Sequence, residues 1–261
     1  MTLAAPPAPA GAEDIGRPDA SSSPQWSRQD AAPSLSIIVP TLDESAGIAE
    51  ALAALQPLRQ RGAEVIVADG GSRDATAELA RPLADRVLVA PRGRGSQMNA
   101  GAAAAGGDVF VFLHADSRLP PDADGLLRYG LAGAGRVWGR FDVVIDGRHL
   151  LLPVVAGMMN WRSQVTGIAT GDQAMFVTRE AFAAAGGFPD IALMEDIALS
   201  KTLKRIGRPL CLAARVRTSG RRWTENGVVR TVLRMWRLRF DYWRGIDPAA
   251  LARRYGYAPR E

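Results

Sequence analysis

Five apolar residues in succession, Val109 to Leu113, constrain this chain more than any other feature. A strand with one face in water alternates apolar and polar residues. A strand without alternation must be covered on both faces, as in a parallel sheet between helices. Ser36–Pro40, Glu64–Ala68 and Arg86–Ala90 are shorter runs of the same kind. Helical stretches separate them. Ile48–Leu58 places Ile48, Leu52, Leu55 and Leu58 on one face, residues 74–81 form a second helix, and Ser96–Ala105 is rich in alanine, the best helix former. This alternation predicts right-handed βαβ units and an α/β protein with a mostly parallel central sheet flanked by helices.

The second half is less regular. Residues 120–131, 179–185 and 195–206 read as helices, Arg140–Ile145 and Ala174–Val177 as strands, and 209–218 as two short strands. Leu151–Val165 fits either a helix or a partly buried connector. Gly227–Trp243 mixes valine, leucine and tryptophan with four arginines in an amphipathic helix, with Arg244 just after it, followed by a short helix from Pro248. Two uses fit the long helix: packing its apolar stripe on the body, or lying on an anionic membrane.

Residues 1–33 are rich in Ala, Pro, Ser and Gly and are expected to form a disordered tail. That leaves a body over 34–222 and a helical extension over 223–261. The N-terminus lacks the apolar core of a signal peptide, and Pro153 and Gly157 interrupt the longest apolar run. A cytoplasmic protein is expected, in peripheral contact with the membrane at most. The formal charge is +5, almost all of it from arginine, which permits a phosphate-bearing ligand without requiring nucleic acid. One cysteine and two histidines exclude a disulfide framework and a Cys- or His-rich metal site, so a bound metal would need oxygen ligands, as Mg²⁺ or Mn²⁺ does.

In open α/β sheets, ligands bind at the carboxyl ends of the strands. Here those ends carry Pro40, Thr41 and Glu44, then Asp69 and Gly70, then Arg92–Arg94, then His114, Ala115 and Asp116. Asp116 could hold a metal, or cap a turn. Asp69 with Gly70 and Gly71 could meet a nucleoside, or form a plain turn. Arg92–Gly95 resembles a dinucleotide fingerprint only weakly, and the first strand lacks a Gly-rich turn, which argues against a nicotinamide site. Glu195 and Asp196 open a helix, as a general base or as acids favoured by the helix dipole. Gly171, Asp172 and Gln173 could line the same cleft. Arg222 and Trp223 sit on a loop suited to diphosphate oxygens, or on a solvated basic turn.

Four motifs then stand in the order and spacing of a known family. Ser36–Glu44 (SIIVPTLDE), Val67–Ser72 (VADGGS), His114–Asp116 (HAD) and Met194–Asp196 (MED) resemble family 2 glycosyltransferases of the GT-A fold. The resemblance covers about residues 34 to 257. Gly93–Gly101, Thr166–Gln173, Leu193–Ile197 and Thr218–Trp223 resemble a bacterial subgroup associated with arsenosugar biosynthesis.

The resemblance implies an inverting, non-processive transfer from a nucleotide sugar, most readily a UDP-sugar, to the hydroxyl of a small-molecule or lipid-linked acceptor. Glu44 and Asp69 would contact the nucleoside. Pro40, Thr41, Gly70, Arg94, Gln97, Asn99, His114 and Ala115 would line the donor site. Asp116 would bind Mn²⁺ or Mg²⁺, and Arg222 and Trp223 would close over the diphosphate. Asp196, with Glu195, would serve as base, while Gly171, Asp172 and Gln173 would face the donor sugar or the acceptor. Two departures stand out: His114 replaces the first aspartate of the usual Asp-x-Asp motif, and Ser219–Trp223 lacks the glutamine of processive members. A sugar nucleotidyltransferase and a nucleotide-sugar binding protein without turnover are the competing expectations.

Overall fold

The computed structural model describes residues 33–257; residues 1–32 and 258–261, and with them nearly all of the expected tail, lie outside the described residues. The four strands expected in the first half are β1 (Leu35–Thr41), β2 (Glu64–Asp69), β3 (Arg86–Val89) and β4 (Val109–Phe112). They pair in parallel, with Thr41 in register with Asp69 and Ile37 with Val111. Because side chains alternate along a strand, Ile37 and Val39 enter one core cluster and Ile38 the other. The run 109–112 divides the same way: Val109 and Val111 face one side, Phe110 and Phe112 the other. Cover on both faces is what the missing alternation required.

Helices α1 (Ile48–Ala53), α2 (Gln56–Gln60), α3 (Thr76–Ala80) and α4 (Arg94–Ala104) separate these strands. The single helix expected over 48–58 is two helices. Pro57 stands at the start of α2, where it cannot donate to the preceding turn. Helix α4 lies close against the sheet: a Cβ on Gly101 would come within 2.4 Å of Ile38 Cγ2. That close seat fixes the position of Arg94 at the amino end of α4.

Beyond β4 the chain runs β5 (Ser117–Arg118), α5 (Ala123–Ala134), β6 (Trp138–Asp146) and α6 (Leu152–Thr166), then β7 (Phe176–Thr178), α7 (Arg179–Ala184), α8 (Glu195–Ile206), β8 (Leu210–Ser219), α9 (Arg221–Asn226), α10 (Val228–Trp243) and α11 (Pro248–Tyr255). The eight strands form one sheet in the order β3-β2-β1-β4-β7-β6-β8-β5. Strand β7 is antiparallel to both neighbours, so the second half of the sheet is mixed. Two expectations change here, and one left open between helix and connector is resolved as helix. Residues 209–218 form one strand, with a register shift opposite Phe141 and Asp142, rather than two. Arg222 and Trp223, read as lying on a loop, belong to helix α9. Residues 152–166 are a full helix, closed by Gly167 in the left-handed conformation.

Helix α10 packs through a narrow stripe. Leu238 joins Leu193, Met194, Ile197, Leu251 and Ala252, and Val228 joins Ile145, Leu152 and Ala156. Its outer face leaves Val229, Leu233, Trp236, Phe240 and Trp243 more than half exposed. Among the described residues no helix is long and apolar enough to cross a membrane.

Candidate active site

The loops after β1 and β2 are laced together into a fixed rim. The Glu44 amide donates to Thr76 Oγ1 at 2.8 Å, the Ser45 amide to Asp74 Oδ2 at 3.1 Å, and the Arg73 amide to Asp43 Oδ1 at 2.8 Å. Asp69 is buried in this rim. Its Oδ2 accepts from the Gly71 and Ser72 amides at 3.1 and 2.9 Å, and its Oδ1 accepts from Thr41 Oγ1 at 3.3 Å. The plain-turn alternative thus describes the Asp69 carboxylate as it stands. Glu44 stays half-buried, and burial followed by the nearby Asp116 charge raises its carboxyl above the usual range.

Two residues expected on the donor serve the fold instead. Gln97 is buried; its Nε2 donates to the carbonyls of Thr41 and Ala68 at 2.7 and 2.9 Å, tying α4 to the ends of β1 and β2. Asn99 clasps Phe188, donating to its carbonyl at 2.8 Å and accepting from its amide at 2.9 Å. Polar side chains on an alanine-rich helix resemble ligand contacts until their backbone partners are visible. Pro40, Gly70 and Ala115 are buried, and a Cβ on Gly70 would press on the Gln97 amide at 3.0 Å.

After β4, His114 turns away from a metal role. Its Nδ1 lies 3.4 Å from Asp172 Oδ1. Burial works against the imidazolium, but Asp172 outweighs it, so His114 is raised above the ordinary histidine value. Gly171 makes this approach feasible, since a Cβ there would sit 2.3 Å from His114 Nε2. Asp116 is exposed on the cleft. Gln173 is fully buried; its Nε2 reaches Asn160 Oδ1 at 3.3 Å and its Oε1 accepts from the Thr170 amide at 3.2 Å, so it braces the loop rather than facing an acceptor.

The adjacent carboxylates of α8 part company. Glu195 is 3% exposed and pairs with Arg94 Nε at 3.0 Å. Burial raises the Glu195 carboxyl and Arg94 only partly offsets it; the Arg94 guanidinium, though itself opposed by burial, is held above its usual value by that carboxylate. Glu195 therefore positions Arg94 instead of facing the cleft. Asp196 does line the cleft, with Oδ2 accepting from the Gly171 amide at 2.9 Å and Oδ1 from the Ile197 amide at 2.7 Å. Among the described residues, three non-glycine residues adopt positive φ: Asp43 (54°), Ala174 (44°) and Met194 (70°). Asp43 sits in the rim, Ala174 directly after Gly171–Gln173 and Met194 at the amino end of α8, each at about 1–3 kcal/mol of local strain.

The cleft encloses about 360 Å³ and brings together Arg94, His114, Asp116, Asp172, Asp196 and Arg222. Trp223 lines it from α9, and Arg222 hydrogen-bonds the Tyr255 hydroxyl and lies over its ring at 5.3 Å. Tyr257 lies under Arg94 at 5.4 Å. Sequence reading missed Arg162, Arg239, Tyr255 and Tyr257. Only Arg162 left a signal, as the one charged residue between His149 and Asp172.

Among the described residues no three His, Cys, Asp or Glu side chains gather as a preformed metal cage. Asp116, with Glu44 as an electrostatic neighbour, nevertheless suits a hard divalent cation that keeps water and takes its remaining oxygens from a phosphate.

Solved structures share this fold. TarS 1–349 of S. aureus in complex with UDP-GlcNAc is 18% identical, with a TM-score of 0.57 over 71% of this chain and 58% of that one. Mannosyltransferase PcManGT from Pyrobaculum calidifontis, in complex with GDP-Man and Mn²⁺, is 21% identical, with a TM-score of 0.57 over 88% and 66%. Glucosyl-3-phosphoglycerate synthase from Mycobacterium tuberculosis is 19% identical, with a TM-score of 0.51 over 76% of each chain. The chain thus spans about 60% of the length of the TarS fragment. No curated protein matches the sequence. Residues 36–177, which carry the laced rim, Asp116 and Asp172, match the family model described as Glycosyl transferase family 2, and the chain belongs to that family.

Proposed function

We propose that this protein is an inverting, non-processive glycosyltransferase that moves a sugar from a nucleotide diphosphate, most readily UDP, to an acceptor hydroxyl. One observation carries the reading: Asp116, after β4, and Asp196, at the amino end of α8, line a single cleft together with Arg94 and Arg222. A leaving diphosphate needs cations and an attacking hydroxyl needs a base; both are present there. The solved TarS and M. tuberculosis synthase structures hold UDP-GlcNAc and UDP, which favours UDP over the GDP of PcManGT.

In this reading the nucleoside rests on the rim of Thr41, Glu44 and Asp69. Arg94, oriented by Glu195, and Arg222, oriented by Tyr255, meet the diphosphate oxygens. Asp116, with Glu44 beside it, would hold Mn²⁺ or Mg²⁺, and the bound ion would offset charge gathering on the departing diphosphate. Asp196, fixed by two backbone amides, takes the proton of the acceptor hydroxyl as it attacks the anomeric carbon from the opposite face. Asp172, steered by His114, faces the donor sugar. The likeness to arsenosugar-biosynthesis enzymes supports a glycoside-forming step in that chemistry. The exposed aromatic and arginine residues of α10 support work in the cytoplasm against the inner face of the membrane.

The test incubates the protein with UDP- and GDP-sugars and a mixture of acceptors, with Mn²⁺ or EDTA, and assays the products. Metal-dependent release of nucleoside diphosphate with inverted anomeric configuration is expected. Pyrophosphate release would instead mark a nucleotidyltransferase. Nucleotide binding with no release from any donor would mark a binding protein. Retained configuration would rule out the single displacement.

A further inference from the structure

The cleft has a second half, walled by α6 and α10, that the donor chemistry does not use. Its lining is apolar: Val155, Met158, Met159, Val232, Met235 and Trp236. Set into it are two arginines, Arg162 from α6 and Arg239 from α10. Their guanidinium groups are incompletely satisfied. Arg162 Nη1 reaches the Ile168 carbonyl at 3.4 Å, but Arg162 Nε, Arg162 Nη2 and Arg239 Nε are buried without an acceptor. Among the described residues neither arginine forms an ion pair. Both sense Asp196, whose two oxygens are engaged by backbone amides, and Arg239 also senses Asp172, which is paired with His114.

Buried donors normally find partners, and a pair of like charges on an apolar wall opposes itself. Burial, and then Arg239, push Arg162 down to about 10. Such an arrangement is stable when a ligand supplies the missing acceptors and the missing negative charge. The three open nitrogens carry four N–H bonds between them, which the three free oxygens of a phosphate monoester serve better than the two of a carboxylate. Asp196 is an electrostatic neighbour of both arginines and Asp172 a second one of Arg239, and both arginines line the cleft on the α6 and α10 side.

We propose that Arg162 and Arg239 form an anion subsite in the acceptor half of the cleft. It takes the phosphate monoester of an amphiphilic acceptor whose apolar part lies between α6 and α10. Calling the ligand an acceptor rests on the glycosyltransferase reading; binding of the anion does not.

The experiment is calorimetric titration with inorganic phosphate and with glycerol 3-phosphate, in the presence and absence of UDP and Mn²⁺. Cosedimentation with phosphatidylcholine vesicles, with and without phosphatidic acid, runs in parallel. Wild type is compared with Arg162→Gln, Arg239→Gln and the corresponding lysine variants. Phosphate binding should weaken about tenfold or more in each glutamine variant and less in each lysine variant, while UDP affinity stays within about twofold. Because neither arginine has a carboxylate paired to it, neither glutamine variant should melt earlier than wild type. Arginine-dependent binding of glycerol 3-phosphate supports a soluble phosphate ester; arginine-dependent binding of phosphatidic acid vesicles alone supports a lipid phosphate. Binding that is absent for inorganic phosphate, glycerol 3-phosphate and phosphatidic acid vesicles alike, or unchanged in the glutamine variants, overturns the proposal. So does UDP affinity that falls in parallel, since the arginines would then seat the donor. Phosphate binding without any nucleotide binding would overturn the donor reading and leave the subsite standing.

Discussion

Replacing Asp196 with asparagine separates anchoring from chemistry. The carboxylate accepts the Gly171 amide at 2.9 Å and the Ile197 amide at 2.7 Å. A carboxamide can accept only one of them; its NH₂ would face the other N–H, donor against donor. The loss is one hydrogen bond to a charged acceptor, about 1.5–3 kcal/mol, plus about 0.3–1 kcal/mol of favourable placement at a helix amino end. The expected destabilisation is therefore about 2–4 kcal/mol, against a usual domain stability of about 5–15 kcal/mol. Even at the unfavourable end, about 1 kcal/mol remains and about 15% of molecules are unfolded, which trims turnover by less than twofold. Loss of a general base costs about 100- to 10,000-fold. Urea unfolding and nucleoside diphosphate release, measured on the same preparation, resolve the two scales. Folded Asp196→Asn protein with turnover within about threefold of wild type would falsify the base assignment. Unchanged unfolding would contradict the anchoring geometry.

Three further outcomes are expected. Burial raises the Glu195 carboxyl, so this group's contribution to stability is full below the ordinary glutamate range and is lost as pH rises through its elevated value; Glu195→Gln removes that fall, and urea unfolding at about pH 4 and about pH 8 should show its deficit shrinking as pH rises. Gly171→Ala must displace His114, whose Nε2 would lie 2.3 Å from the new Cβ, at a cost of about 1–3 kcal/mol; an unaltered melting temperature would show that the loop yields instead. On anionic vesicles, Trp236→Ala combined with Trp243→Ala should weaken cosedimentation by about tenfold, and wild-type protein that ignores such vesicles refutes the membrane contact.

The sheet and its polar edge were legible because apolar runs and turn residues are local signals. Ile37, Ile38 and Val39 announce a two-faced strand without reference to anything distant. The same locality hides other facts. Glu195 and Asp196 are neighbours in a helical turn, and only the packing around α8 makes one a buried partner of Arg94 and the other a cleft residue. Gln97 and Asn99 have ligand-like side chains, but their acceptors are backbone atoms contributed by β1, β2 and Phe188. The two-residue strand β5 is defined by pairing with Thr218 and Arg217 far along the chain, a partnership no window of sequence contains. Arg239 repeats a motif of alternating arginines on α10, and nothing local sets it apart from its exposed neighbours.

The cleft draws on elements far apart in the chain, from Arg94 through α6 and α8 to Arg239 on α10 and Tyr255 on α11. This has a consequence for biosynthesis. On the ribosome, β1 to β4 and their helices emerge first and can pair locally, so the nucleoside rim forms early. The opposite wall is translated later, and until α10 and α11 leave the exit tunnel, Arg222 lacks Tyr255 and Arg162 faces no Arg239. The nascent chain can thus own a nearly complete sheet while having no enclosed site, and competence arrives only with α10 and α11.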